Sequence, residues 1–172
     1  MGVLLSANRT GPPSDGEPLT GCAGCDRDAL LSAVAAQGYR ELAEHLAAAH
    51  PAPRTPEDLA AVAAAYVRFA VGRPALFRVM FAEPCDPADA ERVAAAAAMW
   101  DYVGAIVRDT FPGTDREAMS TAVWALVHGL AFLHLDGKLD PTDPTATDDR
   151  VRTAVRTLLD TTRPHPAAEP NR

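Results

Sequence analysis

The chain has 172 residues, of which 48% are hydrophobic and 6% aromatic, a length that suits one domain with a sizeable core of its own. Because the apolar residues are mostly alanine, valine and leucine, and alanine has the highest helix propensity, this composition favours an all-helical protein. The 16 Lys and Arg residues against 23 Asp and Glu residues give a formal net charge of −7, which argues against a general affinity for nucleic-acid phosphates.

Residues 1–25 are rich in glycine and proline and have no periodic apolar face, so we predict a disordered tail there. Cys22 and Cys25 form a single Cys-x-x-Cys, which is half of a four-ligand zinc site, and Cys85 lies far along the chain, so no metal site is expected. Three cysteines are an odd number without a disulfide framework. A reducing, cytoplasmic setting is therefore predicted.

Apolar residues that recur at three- and four-residue steps predict six helices and no strand. Residues 163–172 are polar and proline-broken, and we predict a second disordered tail there. The expected fold is a single all-α domain over residues 26–162, a bundle of about six helices. The first helix is expected from Asp26 or Asp28 up to the proline-rich segment at Pro51, and the second from Pro56, behind a Thr55 cap, to Gly72. The third is expected over 74–82 and the fourth over about 88–109. The fifth is expected from a Thr114 or Asp115 cap to Leu135, and the sixth over about 146–162.

The fifth helix, within MSTAVWALVHGLAFLHL, is apolar on nearly every side, so it should be buried on nearly every side. One side would then face the domain core and another a second subunit, with the last helix alongside across a two-fold axis. The alternative is a core helix that is enclosed within one chain. The expected interface residues belong to a stripe of small residues, a nearby phenylalanine and the apolar stripe of the last helix: Ala118, Ala122, Ala125, Gly129, Phe132, Val151, Val155 and Leu158.

Trp124 and His128 lie one turn apart on the same face of the fifth helix. Two interpretations stand side by side: a small-molecule cavity lined by these residues, or a core tryptophan beside a buried histidine that is bonded to a carbonyl oxygen. Both fit, because cavities in helical bundles are formed by the residues that also form cores. The candidate ligand-binding residues are Tyr66, Phe69, Phe77, Met80, Trp100, Val103, Trp124 and His128.

No catalytic or metal-binding constellation is apparent. His45 and His50 are five residues apart and His128 and His134 are six apart, so neither pair has the spacing of a helical zinc site. No nucleophile elbow or phosphate loop is present. We therefore expect no enzyme activity, no metal and no cofactor, with a helical enzyme that uses His128 for acid–base chemistry as the alternative. No run of about 18 apolar residues is apparent, so no membrane association is expected.

Three stretches of the chain resemble the TetR family of bacterial one-component transcription regulators. RDALLSAVAAQGYREL is similar to the segment that follows the family's helix-turn-helix. AAYVRFAVGRPALFRVMF and AVWALVHGLAFLHLDGKL are similar to the family's effector domain, and the latter carries the Trp…His-Gly signature of one subgroup, here Trp124, His128 and Gly129. The resemblance covers about residues 26–159.

This resemblance implies a C-terminal ligand-binding and dimerisation domain with a small, mainly apolar effector between the second to fifth helices and a homodimer formed by the last two. Family members carry a DNA-reading head ahead of this domain. Ahead of Arg27, Arg9 is the only basic residue, whereas DNA binding needs several phosphate contacts. We therefore expect the head to be missing or corrupted, so that DNA binding requires an intact helix-turn-helix upstream. The chain would otherwise act by binding effector or by forming mixed dimers with an intact regulator.

Overall fold

The structure is a computed structural model that describes residues 23–83 and 86–161. Within these ranges the prediction of an all-α bundle of about six helices is confirmed. The segments 1–22 and 162–172 lie outside the described residues, and with them most of the predicted tails, the expected loss of a DNA-reading head, and Cys22; Cys85 lies outside them as well. Residues 23–25, which the prediction assigned to the N-terminal tail, belong instead to the first helix. The helices are α1 (Ala23–Ala49), α2 (Pro56–Gly72), α3 (Pro74–Phe81), α4 (Ala90–Thr110), α5 (Arg116–Leu135) and α6 (Pro144–Thr161).

Two helix starts are set by the caps that the sequence predicts. At α2, the Thr55 side chain accepts a hydrogen bond from the Asp58 amide, and the Asp58 carboxylate accepts one from the Thr55 amide. This capping box satisfies two of the otherwise unpaired amides at the helix start. At α5, the Asp115 carboxylate accepts from the amides of Glu117 and Ala118, so Asp115 rather than Thr114 is the cap.

Three helix starts differ from the prediction. α1 begins ahead of Asp26 and Asp28, which therefore lie inside the helix and do not cap it. α4 begins at residue 90 rather than 88, because Asp89 accepts the hydrogen bond of an amide in the first turn. α6 begins at residue 144 rather than 146, because Asp143 accepts from the first amides of that helix. At α4 and at α6, an aspartate therefore sets the start of the helix.

α2 is the central helix of the bundle and contacts each of the other five. Its many alanines keep its surface small, so neighbouring helices can approach it on several sides. Between α2 and α3 the chain turns by 106°, because Pro74 lacks the amide that would continue α2. The buried residues of α2 are Leu59, Ala60, Val62, Ala63, Ala64, Ala65, Tyr66, Val67, Phe69 and Ala70.

α6 packs along α2, and this contact uses the apolar stripe of α6. The side chains of Val151 and Val155 are 0% and 1% exposed. Arg68 of α2 and Asp148 of α6 form an ion pair at the same contact. The prediction that Val151 and Val155 lie at a subunit interface is therefore wrong, because both side chains are already enclosed within the chain.

α3 and α4 both pack against α1. Where α1 meets α3, Gly38 lies so close to Met80 that a Cβ atom at Gly38 would be 2.6 Å from the Met80 Sδ. The neighbouring Tyr39 hydroxyl donates a hydrogen bond to the Met80 carbonyl oxygen at 3.2 Å. Glycine thus permits a close approach of two helices here.

α5 is apolar on more sides than this chain covers. Val123, Val127, Leu130 and Ala131 are buried in the core, whereas Leu133 on another side is 43% exposed. The interpretation of α5 as a core helix enclosed within one chain is therefore not what the structure shows. The small residues on the exposed side, which we call the α5 face, are Ala118, Ala122, Ala125 and Gly129.

By length and composition, α5 is the one helix in the described part of the chain that could cross a membrane. This corrects the expectation that no such apolar run is present. α2 and α3 together meet the same criterion only as a bent pair. A single helix of this kind is weak ground for a membrane assignment, since core helices of soluble proteins have the same composition.

Candidate functional site

A cavity of about 40 Å³ lies between α1, α2, α4 and α5. None of the described residues that line it has a charged side chain. Ligand pockets typically measure roughly 300–1,000 Å³, so a ligand of more than a few atoms must move side chains or helices apart to enter. The lining residues are Leu46 of α1, Leu59, Val62, Ala63 and Tyr66 of α2, Met99, Tyr102, Val103 and Ile106 of α4, and Val123, Trp124 and Val127 of α5.

Tyr66, on the cavity wall, is bonded to His128 behind it. The Tyr66 hydroxyl and the His128 Nδ1 are 3.0 Å apart. Burial raises the pKa of Tyr66 and lowers the pKa of His128, because removal from water disfavours the charged form of each group. Either tautomer of a neutral imidazole sustains the bond. The pair therefore ties α2 to α5 without a charge.

Aromatic rings enclose His128. The Trp124 ring stacks on the imidazole with 5.7 Å between centroids and 13° between planes. Phe81 and Phe132 meet the imidazole edge-on at 4.7 and 4.9 Å. Among the residues that the structure describes, His128 has no carboxylate partner, so these contacts give no support to the alternative of a helical enzyme that uses His128 for acid–base chemistry.

The histidine that bonds to a carbonyl oxygen is His134, and not His128. His134 is 2% exposed, and its Nδ1 lies 2.7 Å from the Leu130 carbonyl oxygen. Because a carbonyl oxygen only accepts, Nδ1 carries the hydrogen, and Nε2 accepts from the Arg150 guanidinium at 3.1 Å. His134 is thus the buried histidine that is bonded to a carbonyl oxygen. His128 instead lies behind the cavity wall and is bonded to Tyr66.

The predicted ligand-binding residues divide between the cavity and its surroundings. Tyr66, Val103 and Trp124 line it. His128 and Phe77 lie behind the wall, where both rings contact Tyr66. The structure therefore brings these five residues together around one space.

The remaining predicted residues lie elsewhere. Phe69 packs against the His45 ring and under the Arg73 guanidinium, and Met80 lies against α1 at Gly38. The helix α3 does not line the cavity, contrary to the expected contribution of the third helix, while α1 does. The cause is the sharp turn after α2, which carries α3 behind Tyr66 instead of beside it.

Trp100 points to a different space from the one predicted. It is 41% exposed, and its ring lies 6.0 Å from Trp124. It lines a polar groove of about 190 Å³ between α4 and α5. The other groove residues are Asp101, Gly104, Arg116, Glu117 and Ser120.

The sequence did not single out Tyr102 and Met99 as cavity residues. Their spacing with Val103 and Ile106 places all four on one face of α4, and Trp100 lies to one side of that face. That spacing was the available signal, but the many alanines of α4 fit either face. Contacts with α1 and α5 decide which face turns inward.

The remaining predicted interface residues lie on or near the exposed surface of α5. Ala118, Ala122, Ala125 and Gly129 are exposed, and a Cβ atom at Gly129 would meet nothing within 4 Å. Phe132 is half-buried against His128. Leu158 of α6 is half-buried and lies beside Ala118 and Ala122 in a shallow apolar depression. In the part of the chain that the structure describes, no group of three or more His, Cys, Asp or Glu residues could hold a metal ion.

Comparisons with known proteins agree with this architecture. A solved structure titled "Structure of a protein with unknown function from Rhodococcus sp. RHA1" is 30% identical in sequence with a TM-score of 0.65, over 77% of this chain and 71% of that chain. No curated protein matches the chain significantly. The family model described as "Tetracyclin repressor-like, C-terminal domain" matches residues 59–158, which include the cavity residues of α2, α4 and α5. The chain therefore belongs to the tetracycline repressor-like C-terminal domain family.

Proposed function

We propose that this chain is the effector-binding and dimerisation body of a TetR-type transcription regulator, and that its effector is small and mainly apolar. The observation that carries the proposal is the cavity between four helices, whose lining has no charged side chain. Apolar lining with a few hydroxyl groups is typical of small-molecule sites. The Trp…His-Gly signature supports the proposed subgroup, since Trp124 lines the cavity and His128 supports its wall.

Effector binding would act by separating the cavity walls. The cavity is small as it stands, so a ligand that enters between α4 and α5 displaces at least one of them. α1 supplies Leu46 to the same wall, and α1 is the helix that leads toward the N-terminal part of the chain. A ligand that favours one position of α1 would thereby favour one placement of whatever precedes it.

The proposed homodimer forms through the α5 face, together with Leu158 and Phe132. Small exposed residues at Ala118, Ala122, Ala125 and Gly129 would let the same helix of a partner approach closely, and a two-fold axis would bury the stripe on both subunits at once. Val151 and Val155 take no part, because they pack on α2. The exposed apolar side of α5 supports this proposal.

The proposed regulator would bind DNA only if a helix-turn-helix precedes α1. In a dimer with such segments, effector binding would change the affinity for the operator. In a mixed dimer, this chain would pair with a subunit that carries the segment and change its DNA binding. We propose a cytoplasmic location on the same grounds, since regulators of this type act on intracellular DNA.

The cavity itself can be tested with ethylbenzene as the probe. In the parent protein, we expect ethylbenzene to raise the melting temperature and to quench tryptophan fluorescence, since Trp124 is part of the wall. Ala63→Leu adds three carbon atoms at the cavity wall and should abolish both effects. Ala47→Leu, at an exposed position of α1, is the matched control and should leave both unchanged. Equal binding by the parent and Ala63→Leu, or none by the parent, would refute the effector site.

A further inference from the structure

We infer that the effector carries one neutral hydrogen-bond acceptor, such as a carbonyl or ether oxygen, and that the Tyr102 hydroxyl is its partner in the cavity. This inference rests on the proposed effector site. It narrows the ligand class from apolar compounds in general to apolar compounds with a single neutral oxygen function.

The first observation is an unbonded hydroxyl group. Tyr102 lines the cavity, and its hydroxyl oxygen is buried with no hydrogen-bond partner among the residues that the structure describes. Buried hydroxyl groups are bonded in the large majority of cases, because a hydroxyl removed from water without a new partner destabilises the folded state. A ligand that widens the cavity beside Tyr102 would reach this hydroxyl and supply the missing partner.

The second observation is that the other hydroxyl on the wall is already engaged. Tyr66 is bonded to His128 at 3.0 Å, so a ligand would have to break that bond to use it. The other cavity-lining side chains are hydrocarbon, apart from the Met99 thioether and the Trp124 indole. Tyr102 therefore carries the hydroxyl on the wall that is not already bonded.

The third observation concerns charge. A carboxylate or ammonium group on the ligand would lose its water without meeting an opposite charge, which is strongly unfavourable. Burial raises the pKa of Tyr102, so the hydroxyl keeps its proton at neutral pH and can donate it. A buried donor that stays neutral is matched by a neutral acceptor.

Two matched probes test this inference. Acetophenone and ethylbenzene share a phenyl ring and a two-carbon substituent and differ in the carbonyl oxygen. Their dissociation constants are measured by tryptophan fluorescence with the parent protein and with Tyr102→Phe. For acetophenone, we expect Tyr102→Phe to raise the dissociation constant about ten-fold, the effect of one hydrogen bond. For ethylbenzene, we expect a change of less than about two-fold.

Tyr39→Phe is the matched control, because the Tyr39 hydroxyl is bonded to the Met80 carbonyl oxygen outside the cavity. It should leave both dissociation constants unchanged. An unchanged acetophenone affinity in Tyr102→Phe, or an equal loss for both probes, would overturn the inference while ethylbenzene binding by the parent keeps the effector site. If neither probe binds to the parent, the effector site and the inference both fail.

Thermal unfolding without ligand gives an independent readout. Tyr102→Phe removes a hydroxyl that has no partner, so the variant should melt at the same temperature as the parent or higher. Tyr39→Phe removes a bonded hydroxyl and should melt at a lower temperature. A Tyr102→Phe variant that is destabilised as much as Tyr39→Phe would mean that the Tyr102 hydroxyl is bonded in the parent, and the inference would be wrong.

Discussion

Two helical glycines show how a single residue can serve packing in one place and weaken a helix in another. At Gly38, an added Cβ would lie 2.6 Å from the Sδ and 2.7 Å from the Cγ of Met80. At Gly104 in α4, an added Cβ would meet nothing within 4 Å. Gly38 therefore permits the contact between α1 and α3, whereas Gly104 only costs its helix conformational entropy.

We expect Gly38→Ala to lower the free energy of unfolding by about 1 kcal/mol, because overpacking of about 1–3 kcal/mol exceeds the roughly 1 kcal/mol gained in helix propensity. Gly104→Ala should raise it by about 0.5–1 kcal/mol, since only the propensity gain applies. Urea unfolding of the two variants measures both. A Gly38→Ala variant as stable as Gly104→Ala would show that Met80 moves aside without cost.

His128 makes the stability of the protein depend on pH. Its ordinary pKa is 6.5, and burial lowers this pKa in the folded state. Well above that value the ring is neutral in both states and its ionisation contributes nothing. As the pH falls through about 6.5, the unfolded chain takes up the proton before the folded one, so the folded state loses stability.

The comparison of the parent with His128→Gln tests this dependence. The glutamine amide can still bond to Tyr66 but does not titrate. Between about pH 7.5 and about pH 5.5, the melting temperature of the parent should fall more than that of the variant. Parallel curves for the two proteins would show that His128 has the same pKa in both states.

At the scale of the helices, the two apolar surfaces of the C-terminal pair have different partners. The apolar stripe of α6 is used within the chain, since Val151 and Val155 are enclosed against α2. The α5 face is exposed along its whole length. The stripe of α6 thus stabilises the fold of the single chain, whereas the α5 face is the surface through which we propose that two chains associate.

Ala125→Glu separates these two roles. A carboxylate on the α5 face would be buried unpaired in a dimer, so we expect the variant to sediment as a monomer at concentrations at which the parent sediments as a dimer. Its secondary structure should be unchanged, because the residue is exposed in the single chain. Val155→Ala should instead lower the free energy of unfolding by about 2 kcal/mol and leave the folded chains able to associate. A parent protein that is monomeric at all concentrations would contradict the proposed dimer.

At the scale of the whole molecule, the cavity and the proposed dimer surface meet in one helix. α5 supplies Trp124 to the cavity wall and, on its other side, the exposed small residues. α1 supplies Leu46 to the same cavity and extends toward the N-terminal segment. A ligand between these helices would therefore act on both the subunit contact and the start of the chain, which is the arrangement that a ligand-responsive regulator requires.

The number of helices, most of their bounds and the family could be predicted from local patterns in the amino-acid sequence. The Thr55 and Asp115 caps, and the break at Pro74, follow from local backbone chemistry, which does not depend on distant residues. The periodic apolar pattern likewise identified Tyr66 and Trp124 as residues near a core or a cavity.

Which helix faces meet depends on tertiary packing and could not be predicted from the sequence. The alanine-rich α4 can pack on either side, so Tyr102 faces the cavity and Trp100 the groove because of contacts with α1 and α5. The apolar stripe of α6 could pack on α2 or on a partner subunit, and it packs on α2 because the two helices fit closely together. The bond between Tyr66 and His128 joins residues 62 positions apart. Such contacts depend on the shapes of several helices at once, and no local pattern in the chain encodes them.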